Sequence, residues 1–225
     1  MELIREQLRL YLVTDPDLCA AAGVLDTVHA AVQGGVTMVQ LRDKLVTTAA
    51  RIEMGRALLQ LLDGSGVPLI VNDDIDAAMA IGAHGVHVGQ SDMRPHEVRA
   101  RVGPTMIVGW SCETVAHAAA ADPHVVDYVG LGPVFPTTTK PDHAEALGLH
   151  GLAAARTATT LPSVAIGGVQ LANGADVLAS GVDGLAVISA ICGQPHPGRA
   201  ARTLADLVMR TRTQSSSPRT TWRPT

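Results

Sequence analysis

Aromatic residues are scarce in this sequence. Its 225 residues include one Phe, two Tyr and two Trp. The core must therefore be built from Val, Ile, Leu and Ala, which suits a parallel sheet that is buried on both faces. Only 17% of the residues are charged, whereas 47% are hydrophobic. At this length the composition predicts one sizeable core, and single α/β barrels commonly have this size.

The chain also lacks an excess of basic residues, because its formal net charge is −4. Proteins that bind a nucleic-acid backbone need a basic face to meet the phosphates. We therefore expect no nucleic-acid partner. Small phosphorylated molecules are the expected partners, and the sequence leaves the oligomeric state open.

Cysteines and long apolar runs are few as well. Cys19, Cys112 and Cys192 are odd in number and far apart, so neither a disulfide framework nor a zinc site is indicated. No apolar run approaches the length of a membrane span. The first residues, 1–6, contain acids and no apolar region, which argues against a signal peptide. Together these absences predict a cytoplasmic protein.

A dinucleotide-binding Gly-x-Gly-x-x-Gly motif is missing after the first predicted strand, which disfavours a Rossmann fold. What the sequence does contain is an eightfold alternation of short apolar runs and helix-like, Ala-rich stretches, typical of parallel βαβ units. We predict a single α/β domain, a (β/α)8 TIM barrel, over residues 1–210 and a disordered polar tail over residues 211–225. The predicted strands are Leu10–Thr14, Met38–Leu41, Leu69–Asn72, Gly85–Val88, Ile107–Ser111, Tyr128–Gly130, Ser163–Ile166 and Gly184–Val187.

Polar residues gather after the predicted strands, where TIM barrels carry their chemistry. Arg42, Lys44 and Lys140 supply cations from separate loops, and the hydroxyls and amides of residues 137–139 can join them in binding an anion. Backbone amides at Gly167–Gly168 and Ile188–Ser189 follow strands seven and eight, the recurrent phosphate site of these barrels.

Two carboxylates, Asp73 and Asp92, follow neighbouring strands. Magnesium is typically held by one or two carboxylates, waters and substrate phosphates. Beside the cations, this pair predicts a diphosphate that is bridged by metal.

Each of these features has a simpler interpretation. Residues 42–44 suit a solvated surface turn, and Asn72, Asp73 and Asp92 suit helix caps. The Gly167–Gly168 pair is compatible with a plain tight turn. Structural roles are expected for His84, His87 and Cys112, because no metal spacing or nucleophile motif surrounds them. The functional interpretation rests on all the polar groups sharing one rim.

The sequence resembles the thiamine phosphate synthase family over residues 9–192. The longest and most specific of the stretches that carry the likeness is Gly130–Lys140. The others are Tyr11–Asp15, Gln40–Lys44, Val71–Asp73, His87–Asp92, Ala165–Val169 and Val187–Ser189.

The resemblance implies a transferase that joins 4-amino-2-methyl-5-hydroxymethylpyrimidine diphosphate to a thiazole phosphate, giving thiamine phosphate and pyrophosphate. It implies one Mg²⁺ per subunit, on Asp73 and Asp92, and catalytic roles for Arg42, Lys44, Ser111 and Lys140. The implied pyrimidine diphosphate ligands are Gln40, Leu41, Arg42, Asp43, Lys44, Asn72, Ser111 and Lys140. Those of the thiazole phosphate are Thr137, Thr138, Thr139, Gly168, Ile188 and Ser189.

One position departs from the family pattern. Glu113 stands two residues after Ser111, where the family has a His. This departure keeps open a thiazole tautomerase, in which Glu113 would serve as a base. A non-catalytic sensor of thiamine precursors is a third possibility, but such a protein is expected to have lost the acids at positions 73 and 92.

Overall fold

A computed structural model describes residues 2–137 and 145–216 of the chain. Eight parallel strands form a closed barrel in sequential order, with the last strand paired to the first. This confirms the predicted TIM barrel. The strands are β1 Leu10–Val13, β2 Met38–Leu41, β3 Leu69–Asn72, β4 Gly85–Val88, β5 Ile107–Cys112, β6 Tyr128–Leu131, β7 Ser163–Ala165 and β8 Gly184–Val187.

Helices follow the strands and cover the outside of the barrel, and one short helix precedes β1. In chain order they are α1 Glu2–Gln7, α2 Val24–Gln33, α3 Thr48–Leu62, α4 Ile75–Ile81, α5 Pro95–Val102, α6 Val115–Ala120, α7 Gly148–Thr157, α8 Gly174–Ala179 and α9 Pro197–Ser216.

Local sequence explains where these helices begin and end. The side chains of Thr47 and Asp74 accept hydrogen bonds from backbone amides in the first turns of α3 and α4. At the other end of α4, Gly82 adopts a left-handed conformation with φ 67°, which side chains disfavour. The chain then turns directly into β4.

The hydrophobic core has an inner and an outer part because strand residues alternate between the two faces of the barrel wall. Outward residues such as Leu12 and Val71 pack against helices, in clusters without large aromatic rings at their centre. Inward residues such as Met38 and Ile70 fill the lower barrel, where Ile4 and Leu8 close the end at which the strands begin. The upper end stays open.

The end of α9 corrects a predicted boundary. The sequence places a disordered tail from residue 211, whereas the helix continues to Ser216. Arg212 stabilises this extension by donating to Glu6 Oε1 at 2.9 Å. Residues 217–225 lie outside the described part of the chain. No helix within the described residues is long and apolar enough to cross a membrane.

Candidate active site

A cavity of about 510 Å³ opens at the carboxyl ends of the strands and descends into the barrel. Every strand or the loop after it contributes to the wall. Most of the predicted site residues lie here together: Gln40, Arg42, Lys44, Asn72, Asp73, Asp92, Ser111, Thr137, Gly168, Ile188 and Ser189.

Two predicted ligands are not among the residues that line this cavity. The Leu41 side chain is buried in the outer core. The Asp43 carboxylate accepts a hydrogen bond from Leu45 N at 3.0 Å, so it closes the turn after β2. Thr138, Thr139 and Lys140 lie outside the described residues.

Arg42 and Lys44 point into the cavity from the same loop. The backbone of Arg42 is fixed by Thr14, whose hydroxyl accepts from Arg42 N at 3.0 Å and donates to Arg42 O at 3.2 Å. The Arg42 guanidinium lies 3.8 Å from the carboxylate of Asp15. Lys44 is half exposed and forms an ion pair with Asp73. The interpretation as a solvated surface turn therefore fails for Arg42, whose side chain is 14% exposed, whereas it still describes the half-exposed Lys44.

The carboxylates Asp73 and Asp92 act on each other across the rim. Burial raises the pKa of Asp73 from 3.8 to about 6, with a further rise from the nearby Asp92 and an opposing effect from Lys44. A divalent cation relieves this kind of repulsion, and two carboxylates are what magnesium takes from a protein. No group of three or more metal-ligating side chains occurs among the described residues. The donor set fits Mg²⁺ better than zinc.

Helix capping does not explain these two acids. It is the neighbouring Asp74 that caps α4, by accepting from Ala77 N at 2.9 Å. Asp73 instead has a positive φ of 60°, unusual for a residue with a side chain. Asp92 accepts from Gly89 N at 2.7 Å within the loop after β4. Both carboxylates therefore belong to the rim.

The loops after β6 and β7 pack closely because of Gly167 and Gly168. Both glycines have positive φ angles, 96° and 64°. A Cβ atom on Gly168 would lie 2.7 Å from that of Phe135, closer than packing allows. The pair is therefore a tight turn and also brings Phe135 and Pro136 against the predicted phosphate site.

Gln170 supports the same region, a role that the sequence did not reveal. Its side chain donates to Ser189 Oγ at 2.9 Å. Its backbone amide donates to the side chain of Asn173, which in turn donates to Gly168 O at 3.0 Å. The loops after β7 and β8 are thus tied together by side chains of the chain itself.

The cavity floor contains a set of hydrogen-bonded polar side chains, and the sequence did not predict the part that His87, Tyr128 and Tyr11 have in it. Ser111 Oγ lies 2.9 Å from His87 Nε2, and His87 Nδ1 lies 2.9 Å from the hydroxyl of Tyr128. Tyr11 and Gln40 continue the series. The structural role predicted for His84 is confirmed, since its Nδ1 accepts from Leu69 N at 3.1 Å. His87, by contrast, lines the cavity.

The two residues that follow Ser111 lie in different environments. Cys112 is fully buried, and burial raises the pKa of its thiol to about 12, as expected for a small hydrophobe and not for a nucleophile. Glu113 lines the cavity, so the departure from the family pattern lies at the site itself.

Comparison with known proteins gives a consistent result. A family model described as thiamine monophosphate synthase matches residues 10–191. A thiamine-phosphate synthase of Xanthobacter autotrophicus is 51% identical over 205 residues, 91% of this chain and 97% of the relative. One of Albidiferax ferrireducens is 47% identical over 203 residues, 90% and 93% of the two chains.

Solved structures agree. A thiamine phosphate pyrophosphorylase from Pyrococcus furiosus superposes with a TM-score of 0.85 at 35% identity, over 92% of this chain and 98% of the other. A 3-hexulose-6-phosphate synthase shares the fold alone, with a TM-score of 0.65 at 17% identity over 88% and 99% of the two chains. On the family match and these identities, the chain belongs to the thiamine monophosphate synthase family.

Proposed function

We propose that this protein condenses 4-amino-2-methyl-5-hydroxymethylpyrimidine diphosphate with 4-methyl-5-(2-phosphoethyl)thiazole, releasing thiamine phosphate and pyrophosphate. The observation that carries this proposal is a single cavity with two chemically different regions in its wall, each suited to an anion. One combines cations with paired carboxylates. The other consists of glycine-rich loops and hydroxyls. A diphosphate that leaves and a phosphate that stays need these two kinds of site.

The first region suits the departing diphosphate. Arg42 and Lys44 face it from one loop, and Asp73, which pairs with Lys44, and Asp92 also line the cavity. Asp73 and Asp92 would hold magnesium, which would supply positive charge to stabilise the leaving pyrophosphate. When the diphosphate binds, we expect Lys44 to exchange its ion pair with Asp73 for a phosphate oxygen. Fixed cations at a developing anion lower the barrier without reorganising. Lys140, predicted to assist here, lies outside the described residues.

The second region suits the thiazole phosphate. Gly168, Ile188, Ser189 and Thr137 line it. Gln170 orients the Ser189 hydroxyl. A thiazole held by its phosphate would present its ring nitrogen to the methylene carbon of the pyrimidine. Holding the two reactants in one cavity lowers the entropic contribution to the activation free energy.

The proposed chemistry requires no protein nucleophile. The aminopyrimidine ring delocalises the charge of the cation that remains when pyrophosphate leaves, and the thiazole nitrogen then attacks it. This agrees with the burial of Cys112, the thiol nearest to Ser111 in sequence. The role of the side chains is to bind, orient and stabilise charge.

Formation of thiamine phosphate with and without Mg²⁺ tests the proposal. We expect product only with the metal. We expect Asp92→Asn to lower kcat/KM by about 100-fold or more, the size of losses seen when a group that stabilises transition-state charge is removed. Asp76→Asn is the matched control, because Asp76 is exposed, pairs with Arg101 and lies away from the cavity. Metal-independent product, or equal losses in both variants, would contradict the proposal.

A thiazole tautomerase is the second candidate, favoured by the position of Glu113 in the cavity wall. In that case Glu113→Gln abolishes isomerisation of the thiazole and no pyrophosphate appears. In the proposed synthase the same variant retains product formation. A sensor would bind both substrates and convert neither. The cytoplasmic location stays a prediction from sequence.

A further inference from the structure

Five polar side chains form a continuous series of hydrogen bonds through the interior of the barrel. Gln40 Nε2 donates to the Tyr11 hydroxyl at 2.6 Å, and the two tyrosine hydroxyls lie 2.8 Å apart. Tyr128 then meets His87 Nδ1 at 2.9 Å, and His87 Nε2 meets Ser111 Oγ at 2.9 Å. The two ends of the series, Gln40 and Ser111, both line the cavity.

Gly109 makes room for the middle of the series. A Cβ atom there would collide with both the Tyr128 ring and His87 Nδ1. Gly109 has no positive φ, so its backbone conformation does not call for glycine. The absence of a side chain at this position is explained by the contact between Tyr128 and His87.

The direction of the hydrogen bonds is fixed by counting protons. Tyr11 and Tyr128 are fully buried, and burial raises the pKa of both phenols, so each keeps its one proton. Since Tyr11 accepts from Gln40, it donates to Tyr128, and Tyr128 then donates to His87 Nδ1. A neutral imidazole that accepts at Nδ1 donates at Nε2. Ser111 Oγ accepts that proton, and its own hydroxyl proton is directed elsewhere.

We propose that this series couples the hydrogen-bonding character of Gln40 to that of Ser111, with Tyr11, Tyr128 and His87 as positioning residues. While the Gln40 amide nitrogen faces Tyr11, its carbonyl oxygen remains as an acceptor for the cavity and Ser111 offers a donor. Turning the amide over reverses every bond, so that Gln40 offers a donor and Ser111 an acceptor. The two ends therefore always present one donor and one acceptor.

This pairing selects a ligand edge that also carries one donor and one acceptor. The amino group and the adjacent ring nitrogen of an aminopyrimidine form such an edge. That assignment rests on the proposed function, whereas the coupling itself does not. An oxopyrimidine, which carries a carbonyl in place of the amino group and a proton on the ring nitrogen, also has one of each, but in exchanged positions. It would bind only with the whole series reversed.

Nitrogen-15 NMR of histidine-labelled protein, without ligand, tests the coupling directly. We expect wild-type His87 to be neutral with its proton on Nε2, and Tyr128→Phe and Tyr11→Phe to give mixed tautomers. His84 provides an internal control, because its Nδ1 accepts from Leu69 N independently of the series. A mixed or charged His87 in the wild type would overturn the proposal, as would an unchanged tautomer in both variants.

Kinetics test the consequence for the substrate. We expect Tyr128→Phe to reduce the preference for the aminopyrimidine diphosphate over its oxo analogue about tenfold, the value of one directed hydrogen bond. The change should lie mainly in KM. Ser163→Ala is the matched control: it also removes a buried hydroxyl from a barrel strand, but one that has no hydrogen-bond partner among the residues that the structure describes. Equal preference in wild type and Tyr128→Phe would refute this role. Inactive wild type with a fixed His87 tautomer would refute the proposed function and leave the coupling intact.

Discussion

At the scale of single residues, Asp73 connects the structure most directly to chemistry. Its carboxyl is held next to Asp92 and Lys44 in a partly buried position, which raises its pKa to about 6. The raised pKa sets the direction in which metal binding should depend on pH. Below this pKa the carboxyl is protonated, and the proposed metal would have to displace the proton. Above it the carboxylate would be free to bind the metal.

Metal binding should therefore weaken as the pH falls through 6. We expect the affinity for Mn²⁺, used as a paramagnetic substitute for Mg²⁺, to drop by nearly tenfold per unit below pH 6 and to level off above pH 7. Asp73→Asn should lower the affinity and remove this dependence. Electron paramagnetic resonance of free Mn²⁺ measures both. A wild-type affinity that is flat between pH 5 and 8 would contradict the role given to Asp73.

At the scale of elements, the barrel strands follow from sequence and some of the connections do not. The strands are short apolar runs between glycines, prolines and acids, so their pattern is local. Four of the eight predicted strands agree with the structure at both ends, and the other four agree at their first residue. The end of α9 depends on Arg212 meeting Glu6, which is remote in sequence. The series from Gln40 to Ser111 joins five strands, and only the closed barrel brings those side chains together.

The sequence contains one indication of that hydrogen-bonded series. It is the presence of two tyrosines at inward positions in a chain with very few aromatic residues. Tyr11 and Tyr128 each lie in an apolar strand, where a buried hydroxyl needs a partner. The cations and acids of the rim were predictable because their loops follow a fixed rule of the fold. Leu41 and Asp43 show where this rule stops. Adjacent residues at the end of a strand point in different directions, so the segment Gln40–Lys44, which matches the family, includes two side chains that do not line the cavity.

The turn after β7 allows a test at this scale. Gly168→Ala and Gly82→Ala each place a side chain at a left-handed position, φ 64° and 67°, at a cost of about 1–2 kcal/mol in folding stability. Only at position 168 does the new methyl group press on Phe135; around Gly82 there is open space. We expect Gly168→Ala alone to raise KM for the thiazole phosphate, by about tenfold or more. Similar KM values in the two variants would show that the turn does not position the phosphate site.

At the scale of the whole molecule, the two ends of the barrel have different tasks. The upper end holds the cavity, and the lower end is closed by Ile4 and Leu8 against the inner core. Stability and activity should therefore be separable by mutation.

Leu8→Ala should separate them. Leu8 is fully buried and does not line the cavity, so its truncation should lower the free energy of unfolding by about 2–5 kcal/mol while KM stays within about twofold. Leu3→Ala, at a position that is 72% exposed, should change stability by less than about 0.5 kcal/mol. Denaturant titration and steady-state kinetics give the two quantities. A large change in KM for Leu8→Ala would show that the lower end shapes the site.

The most direct test of the central claim is the ratio of thiamine phosphate to pyrophosphate formed by the purified protein with both substrates and Mg²⁺. The proposed condensation predicts equal amounts of the two products, and loss of both together when the thiazole phosphate or the metal is left out or when Asp92 is replaced by Asn. Pyrophosphate without thiamine phosphate would mean that the cavity only hydrolyses the diphosphate. Neither product under any of these conditions would contradict the account.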